Sequence, residues 1–383
     1  MGKIPKKTLE DLEYYEVLRQ CADFAITPLG KQACLSLQPK TAIKELLEDL
    51  KAVSEYHASF DNENRIPNHG FEPLITIFSL LSVENSVLDI SVFRIIAVNT
   101  EITNTLLLFL VKFKTYYPTL HSYTDNLYVD KEIKKTIDAV VDRFGEVRDN
   151  ASESLYQIRK QIQQLRSKIS SSFNKALSQY QSAEYLDDIR ESVIENRRVL
   201  AVKAMYRRKV KGAIMGSSKT GSIVFMEPEA THAQNRELQN LLFEEGEEIK
   251  KILSVLTDYF RPHLSYLKLQ HEFLLSIDMV FAKARYAQEI GGLLPNIDLI
   301  DRRIEYNAAF HPLLLQSNRL EDKITYPQDI LLHPEKRIVV ISGPNAGGKS
   351  ITLKTVGLLQ LMLQSGLLIP VHETSKALSL IHI

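Results

Sequence analysis

The 383-residue chain contains no tryptophan, two cysteines, 15 glycines and 14 prolines. So little Gly and Pro excludes a collagen-like or largely disordered chain. Cys21 and Cys34 alone do not make a disulfide framework, which points to a reducing, cytoplasmic compartment. Long apolar runs are also lacking. The longest, Leu106–Val111, falls far short of the roughly 20 residues of a membrane helix, so no membrane partner is expected. The start MGKIPKKTLEDLEYYE has no apolar h-region, so no secretory signal is expected. Among ten histidines there is no H-E-x-x-H and no Cys/His cluster at zinc spacing, which argues against a metalloenzyme. Excess charge of one sign is missing too, since 47 Lys+Arg balance 47 Asp+Glu. A net charge of zero argues against a chain that coats nucleic acid over its whole surface, but it permits a local basic patch.

The remainder reads as an ordinary globular chain, 44% hydrophobic and 25% charged, long enough for two to three domains. Residues 1–130 read as a helical core domain. Thr8-Leu9-Glu10 and Thr27-Pro28-Leu29-Gly30 open helices, and Asn62 to Gly70 is a polar loop. From Ile133 to Ile169, apolar residues including Phe144, Val147 and Ala151 step by three or four, with a stutter at Ala151. One continuous helix from 131 to about 180 would be about 75 Å long, and 131–186 therefore reads as an outgoing arm. Short β-like runs then replace the helical spacing over 187–230, namely Arg198 to Tyr206, Lys209 to Ile214 and Gly221 to Met226. A second helical limb follows, and 231–292 reads as the return, kinked or ended by Pro262 and stopped by Gly291-Gly292. An antiparallel coiled-coil arm carrying a β-tip is the expected geometry. The run Glu244, Glu245, Glu247 and Glu248 on the return limb reads as a solvated face.

The strongest chemical motif is Gly343-Pro344-Asn345-Ala346-Gly347-Gly348-Lys349-Ser350, which fits G-x-x-x-x-G-K-[ST]. A strand-like run, Arg337 to Ser342, precedes it, and an apolar helical segment, Ile351 to Leu359, follows. Such a loop wraps backbone N–H groups around phosphates, and the helix N-terminus adds partial positive charge. Lys349 would reach the β- and γ-phosphates of ATP, and the Ser350 hydroxyl would ligate Mg²⁺. The acidic residue that should hold Mg²⁺ and position water is not found in the 33 residues after Ser350, so no catalytic residue is assigned. Residues 293–383 thus read as the first part of a P-loop ATPase domain, and the chain as a C-terminal truncation, inactive in hydrolysis by itself. His311-Pro312 and Tyr326-Pro327-Gln328-Asp329 either frame an adenine pocket or are ordinary loop residues.

A second signal is charge. Between Asn196 and Met226 lie Arg197, Arg198, Lys203, Arg207, Arg208, Lys209, Lys211 and Lys219, with no Asp or Glu. On a β-tip they would present a positive surface to a phosphate backbone. Tyr206 is the one aromatic among them, so backbone contact rather than base reading is expected.

The loop Gly343-Pro344-Asn345-Ala346-Gly347-Gly348-Lys349-Ser350 with Thr352 to Leu359 resembles the MutS superfamily. So do Val202 to Gly212 and Phe225-Met226-Glu227-Pro228. Leu9-Glu10 and Leu29-Gly30-Lys31 suit its second bacterial branch, the MutS-two endonucleases. The resemblance covers nearly the whole chain and implies a mostly α fold with an α/β C-terminal part. In it a helical core carries a lever and a small β clamp tip and leads into an ABC-like P-loop ATPase. It further implies ATP and Mg²⁺ as cofactors, a homodimer, and DNA, ribosomal RNA or the ribosome as partners. The implied roles are suppression of homologous recombination and action on collided ribosomes, with endonuclease activity in a C-terminal domain not found here. A coiled-coil chromosome-maintenance protein with a P-loop head is the alternative, but such chains usually carry the P-loop before the coiled coil.

Overall fold

The computed structural model describes residues 4–298, 303–336, 338–342 and 348–378. The first part of the chain forms α1 (Lys6–Asp11), α2 (Tyr14–Ala22), α3 (Pro28–Leu35), α4 (Ile43–Ala58), α5 (Ile75–Leu81), α6 (Ile90–Lys112), α7 (Pro118–Ser122) and α8 (Glu132–Val140). Helix α9 (Glu153–Ser182) leads into strands β1 (Leu186–Ile194), β2 (Arg197–Lys203), β3 (Gly212–Ser217) and β4 (Ile223–Pro228), then α10 (Glu229–Phe260) and α11 (Leu264–Ile290). Last come β5 (Asn296–Asp298), β6 (Ile304–Ala309), α12 (Pro312–Leu320), β7 (Gln328–Leu332), α13 (Lys349–Gln364) and β8 (Lys376–Leu378). The protein is mostly helical, with two four-stranded sheets among the described residues. It divides into two compact units, Met1–Ser79 with Ile95–Lys134 and His263–Ile383, and Leu80–Arg94 with Lys135–Pro262.

In the first unit one core joins the N-terminal helices to α11 and α13, through Tyr14, Leu18, Leu50, Leu274, Ile277, Tyr286, Leu358 and Met362. Each such side chain contributes about 1.5–3 kcal/mol when buried. Residues 1–130 and 293–383, divided between two domains by the sequence, therefore share a core. Thr27 caps α3 as expected, its Oγ1 accepting the Gly30 N–H at 2.9 Å, with Pro28 in the first turn. Gly291 ends α11 at φ 66°, a left-handed conformation that suits glycine. Cys21 and Cys34 are free and buried. Helix α6 has the length and mean hydropathy (1.4) of a membrane span, which a search for uninterrupted apolar runs misses. Its Asn99 and Thr100 are nonetheless buried against protein partners, Asn99 donating to Glu72 O at 2.8 Å and Thr100 lying 3.2 Å from Gln270.

The sheet of this unit has the order β5-β8-β6-β7, with β5 parallel to β8 and the other pairs antiparallel. The strand expected before the nucleotide loop is not formed. Residues 338–342 have no assigned strand, and Ile338 and Val340 are 84% exposed. A strand needs a ladder partner, and the described strands pair with one another.

In the second unit α9 and α10 pack antiparallel. Ile162 and Leu165 meet Leu241, flanked by Ile158, Ile169, Leu238 and Leu242. Ser152 bonds Glu248 at 2.8 Å, and Arg159 bonds Glu245 at 2.7 Å. These pairs run in opposite directions along the two helices. They also correct the acidic run on α10, because Glu245 and Glu248 are half-buried partners rather than a solvated face.

The single helix expected over 131–180 is two helices, and α9 alone is about 45 Å long. Asp142 Oδ1 accepts the N–H groups of Phe144 and Glu146, Gly145 takes φ 86°, and Val141 bridges Val147. Ser152 then caps α9 by accepting the Leu155 N–H at 3.0 Å. Phe144, placed on the apolar stripe by its spacing, is 72% exposed on this turn. The β-unit exists and has four strands in the order β1-β2-β4-β3, all antiparallel. It packs on the end of α9 through Phe173, Tyr180, Leu186, Leu200, Val202, Val224 and Met226.

Candidate nucleotide loop and nucleic-acid interface

Of the nucleotide-loop motif, Gly343, Pro344, Asn345, Ala346 and Gly347 lie outside the described residues. Gly348 is the N-cap of α13 at φ 83°, a conformation that only glycine adopts without strain. Lys349 and Ser350 are the first two residues of that helix, and Ser350 is exposed. The order left-handed glycine, lysine, hydroxyl, at the start of a 16-residue helix, fits a phosphate with its metal. The helix is fixed along its middle and at its C-terminal end. Lys354 pairs with Glu13 at 3.1 Å, and a β-carbon on Gly357 would lie 2.9 Å from Leu12 Cδ2. At the far end Gln364 Nε2 donates to Lys40 O at 2.7 Å, Ser365 Oγ lies 2.6 Å from Tyr14 Oη, and buried Lys283 donates to Ser365 O at 3.1 Å. Burial and its neighbours push the Tyr14 phenol up to about 12.

The residues considered for an adenine pocket have structural work. His311 is buried and caps α12, its Nδ1 accepting the Leu314 N–H at 3.4 Å. Burial lowers its pKa. Asp329 accepts the N–H of Ala308, which stands at φ 48°. Tyr326 is 76% exposed.

The eight basic residues of the tip separate into three groups. Arg197 and Arg198, at the start of β2, are internally paired. Arg197 Nη1 lies 3.0 Å from buried Glu227, and Arg198 Nη2 lies 2.6 Å from Glu191. Arg198 also covers the Phe173 ring at 4.2 Å. Lys203 is half-buried, 3.5 Å from Glu184 O. Arg207, Arg208, Lys209, Lys211 and Lys219 are exposed, and none has a carboxylate partner among the described residues. They sit on the crossover from β2 to β3 and on the β3–β4 hairpin, where the chain leaves the sheet and long side chains reach water. Tyr206 is not isolated, because it stacks on Tyr185 at 4.9 Å with Lys209 near both rings.

The sequence reading missed the acids that neutralise the arginines, because Glu191 and Glu227 lie just outside the acid-free window. The one signal for Glu227 is its place in Phe225-Met226-Glu227-Pro228. It is 1% exposed and held by three groups, Arg197, His232 Nε2 at 3.2 Å and Asn235 Nδ2 at 2.6 Å. Thus it joins β2, β4 and the first turns of α10.

No protein-family model matches the chain. The MutS2 of Bacillus subtilis (strain 168) is 32% identical over an alignment of 389 residues, which covers 99% of this chain and 48% of the relative. The endonuclease MutS2 of Bacillus velezensis is 31% identical, covering 97% of this chain and 47% of the relative. The endonuclease MutS2 of Carboxydothermus hydrogenoformans is 32% identical, covering 97% and 46%. The chain spans about half the length of the curated relatives it matches. Along nearly its whole length the chain is a relative of the MutS2 endonucleases, the second bacterial branch of the MutS superfamily.

Proposed function

We propose that the chain is the clamp-bearing part of an ATP-dependent nucleic-acid-binding protein of the MutS type. In this reading α9 and α10 are the outgoing and return levers, and the β1–β4 sheet is the clamp tip. The observation that carries it is the separation of the tip's basic residues. Internal acids neutralise Arg197 and Arg198, whereas Arg207, Arg208, Lys209, Lys211 and Lys219 stand exposed on loops. Folding has no evident use for five uncompensated cations on one small sheet, and a phosphate backbone does. The partner is DNA, ribosomal RNA or the ribosome, and the role is suppression of recombination or action on collided ribosomes, in the cytoplasm and as a homodimer. The relatives are endonucleases by name, which adds an endonuclease activity to the reading of the whole protein.

Residues 343–350 would hold ATP, with the Lys349 ammonium on the phosphates and the Ser350 hydroxyl on Mg²⁺. Bound ATP would supply the free energy of phosphate cleavage. This chain's own contribution is to anchor α13 to the N-terminal helices, so that events at the loop reach the core that carries α11.

The test is nucleic-acid binding over a salt titration, for the wild type and for a variant with Arg207, Arg208, Lys209 and Lys211 each replaced by Glu. Each lost phosphate contact should lower the slope of log K against log salt by about 0.9 on duplex DNA. ATP binding should be unchanged. A variant with wild-type affinity and slope would remove the clamp reading.

A further inference from the structure

A cavity of about 370 Å³ opens where α9, α10 and the start of β2 meet, in the second unit. Arg166, Arg197, Arg198, Asn196 and Gln239 line it, and none of its lining residues is acidic. Ile169, Leu238 and Leu242 give it an apolar side. The volume falls within the range of small-molecule sites, about 300–1,000 Å³. Two of the three guanidinium groups have donors to spare. Arg166 is exposed and has no hydrogen bond or ion pair among the described residues. Arg197 gives one N–H to Glu227, whose carboxylate is already shared with Asn235 and His232. Its other N–H groups have no acceptor among the described residues. Arg198 is committed to Glu191 and the Phe173 face, and acts as a wall.

The chemistry selects the ligand. Planar guanidinium forks match phosphate oxygens. The amides of Asn196 and Gln239 offer both donors and acceptors, as a base edge requires. The apolar side suits a flat ring. A tight turn fixes the mouth, since Glu195 (φ 49°) and Asn196 (φ 60°) are both left-handed where Ile194 pairs with Arg197. We propose that this pocket binds a nucleoside phosphate, with Arg166 and Arg197 on the phosphate and the ring against Ile169, Leu238 and Leu242. The nucleoside phosphate has two sources, a free nucleotide or one nucleotide of a strand. Only the second rests on the clamp reading.

Phenylglyoxal labelling of arginines, read peptide by peptide in the whole chain, tests this. The loop 343–350 contains no arginine, so nucleotide bound there is silent. Thymidine 5′-monophosphate, inorganic phosphate and a deoxythymidine decamer are the probes, at millimolar concentration. Slower labelling of Arg166 and Arg197 with the monophosphate supports the site with a free nucleotide as its source. The same slowing with the decamer alone supports it with a strand. In Arg166→Gln, a change at an exposed position, protection of Arg197 should need about tenfold more ligand, the scale of one charge-assisted hydrogen bond. Equal protection by inorganic phosphate and by the monophosphate would overturn the nucleoside assignment. If the decamer protects Arg207 and Arg208 while no probe protects Arg166, the pocket falls and the clamp reading stands. Protection nowhere would refute both.

Discussion

Asp278 should be the most sensitive single position in the first unit. Its carboxylate is fully buried on α11 and accepts the Ile26 N–H at 2.9 Å, the Thr27 N–H at 3.0 Å and the Thr27 hydroxyl at 2.5 Å. His69 Nε2, also buried, lies 3.6 Å away. Asp278→Ala would strand these donors at once. Each unsatisfied buried donor costs about 1–3 kcal/mol. The losses share one site and do not add, so about 4 kcal/mol is the working figure. For a unit of this size that lowers Tm by about 8–16 °C. Gly30→Ala should act on the same site, because its β-carbon would lie 2.1 Å from Asp278 Oδ2. That contact gives the Leu29-Gly30 signature a physical reason. Burial opposes ionisation of Asp278, but the nearby His69 imidazole and the hydrogen bonds from Thr27 and Ile26 outweigh it and hold the carboxyl below its ordinary range. Its stabilisation is therefore complete above the unfolded carboxyl pKa of about 3.9 and is lost as pH falls through the lower folded value. Thermal unfolding followed by circular dichroism from neutral to acid pH is the assay. An Asp278→Ala protein melting within about 2 °C of wild type at neutral pH would refute the reasoning.

Other outcomes are expected at the two sites. Lys349→Ala should abolish ATP binding, measured by calorimetry, while leaving Tm within about 2 °C, because the residue lies in the first turn of α13. Glu227→Ala should destabilise the second unit by about 2–4 kcal/mol, a buried-pair figure discounted because Arg197 and His232 remain about one-third exposed. Proteolysis within the β-tip would report that loss, and Glu227→Gln should restore part of it.

The local grammar of the chain was legible. Thr27-Pro28 caps a helix, Gly291 stops one, and the runs at 198–206 and 221–226 cover most of β2 and β4. The break at 141–152 was hidden because Phe144, Val147 and Ala151 kept a helical spacing by chance. The Asp142-to-Gly145 turn and the Ser152 cap were present in the sequence and were outweighed by that periodicity. Strand β1 was missed because Asp187, Asp188, Arg190 and Glu191 disguise it. Charges of this kind suit an edge strand, and the pairing shifts register between Leu186 and Glu191. The basic cluster was legible as composition, but its division was not. Which cations have an acidic partner depends on acids brought in by pairing, and Glu227 reaches Arg197 only after β4 lies beside β2. Contacts between distant segments, such as Asp278 with Thr27, leave no local pattern to read.

Lysine acylation of the wild-type chain, with and without nucleic acid, addresses the clamp claim most directly. Lys209, Lys211 and Lys219 are exposed on the tip, and Lys250 and Lys251, whose side chains are 71% and 76% exposed on α10, serve as internal controls. Nucleic acid should slow acylation of the three tip lysines and leave Lys250 and Lys251 unchanged. Unchanged rates at all five, or equal slowing at the tip and on α10, would contradict the clamp claim.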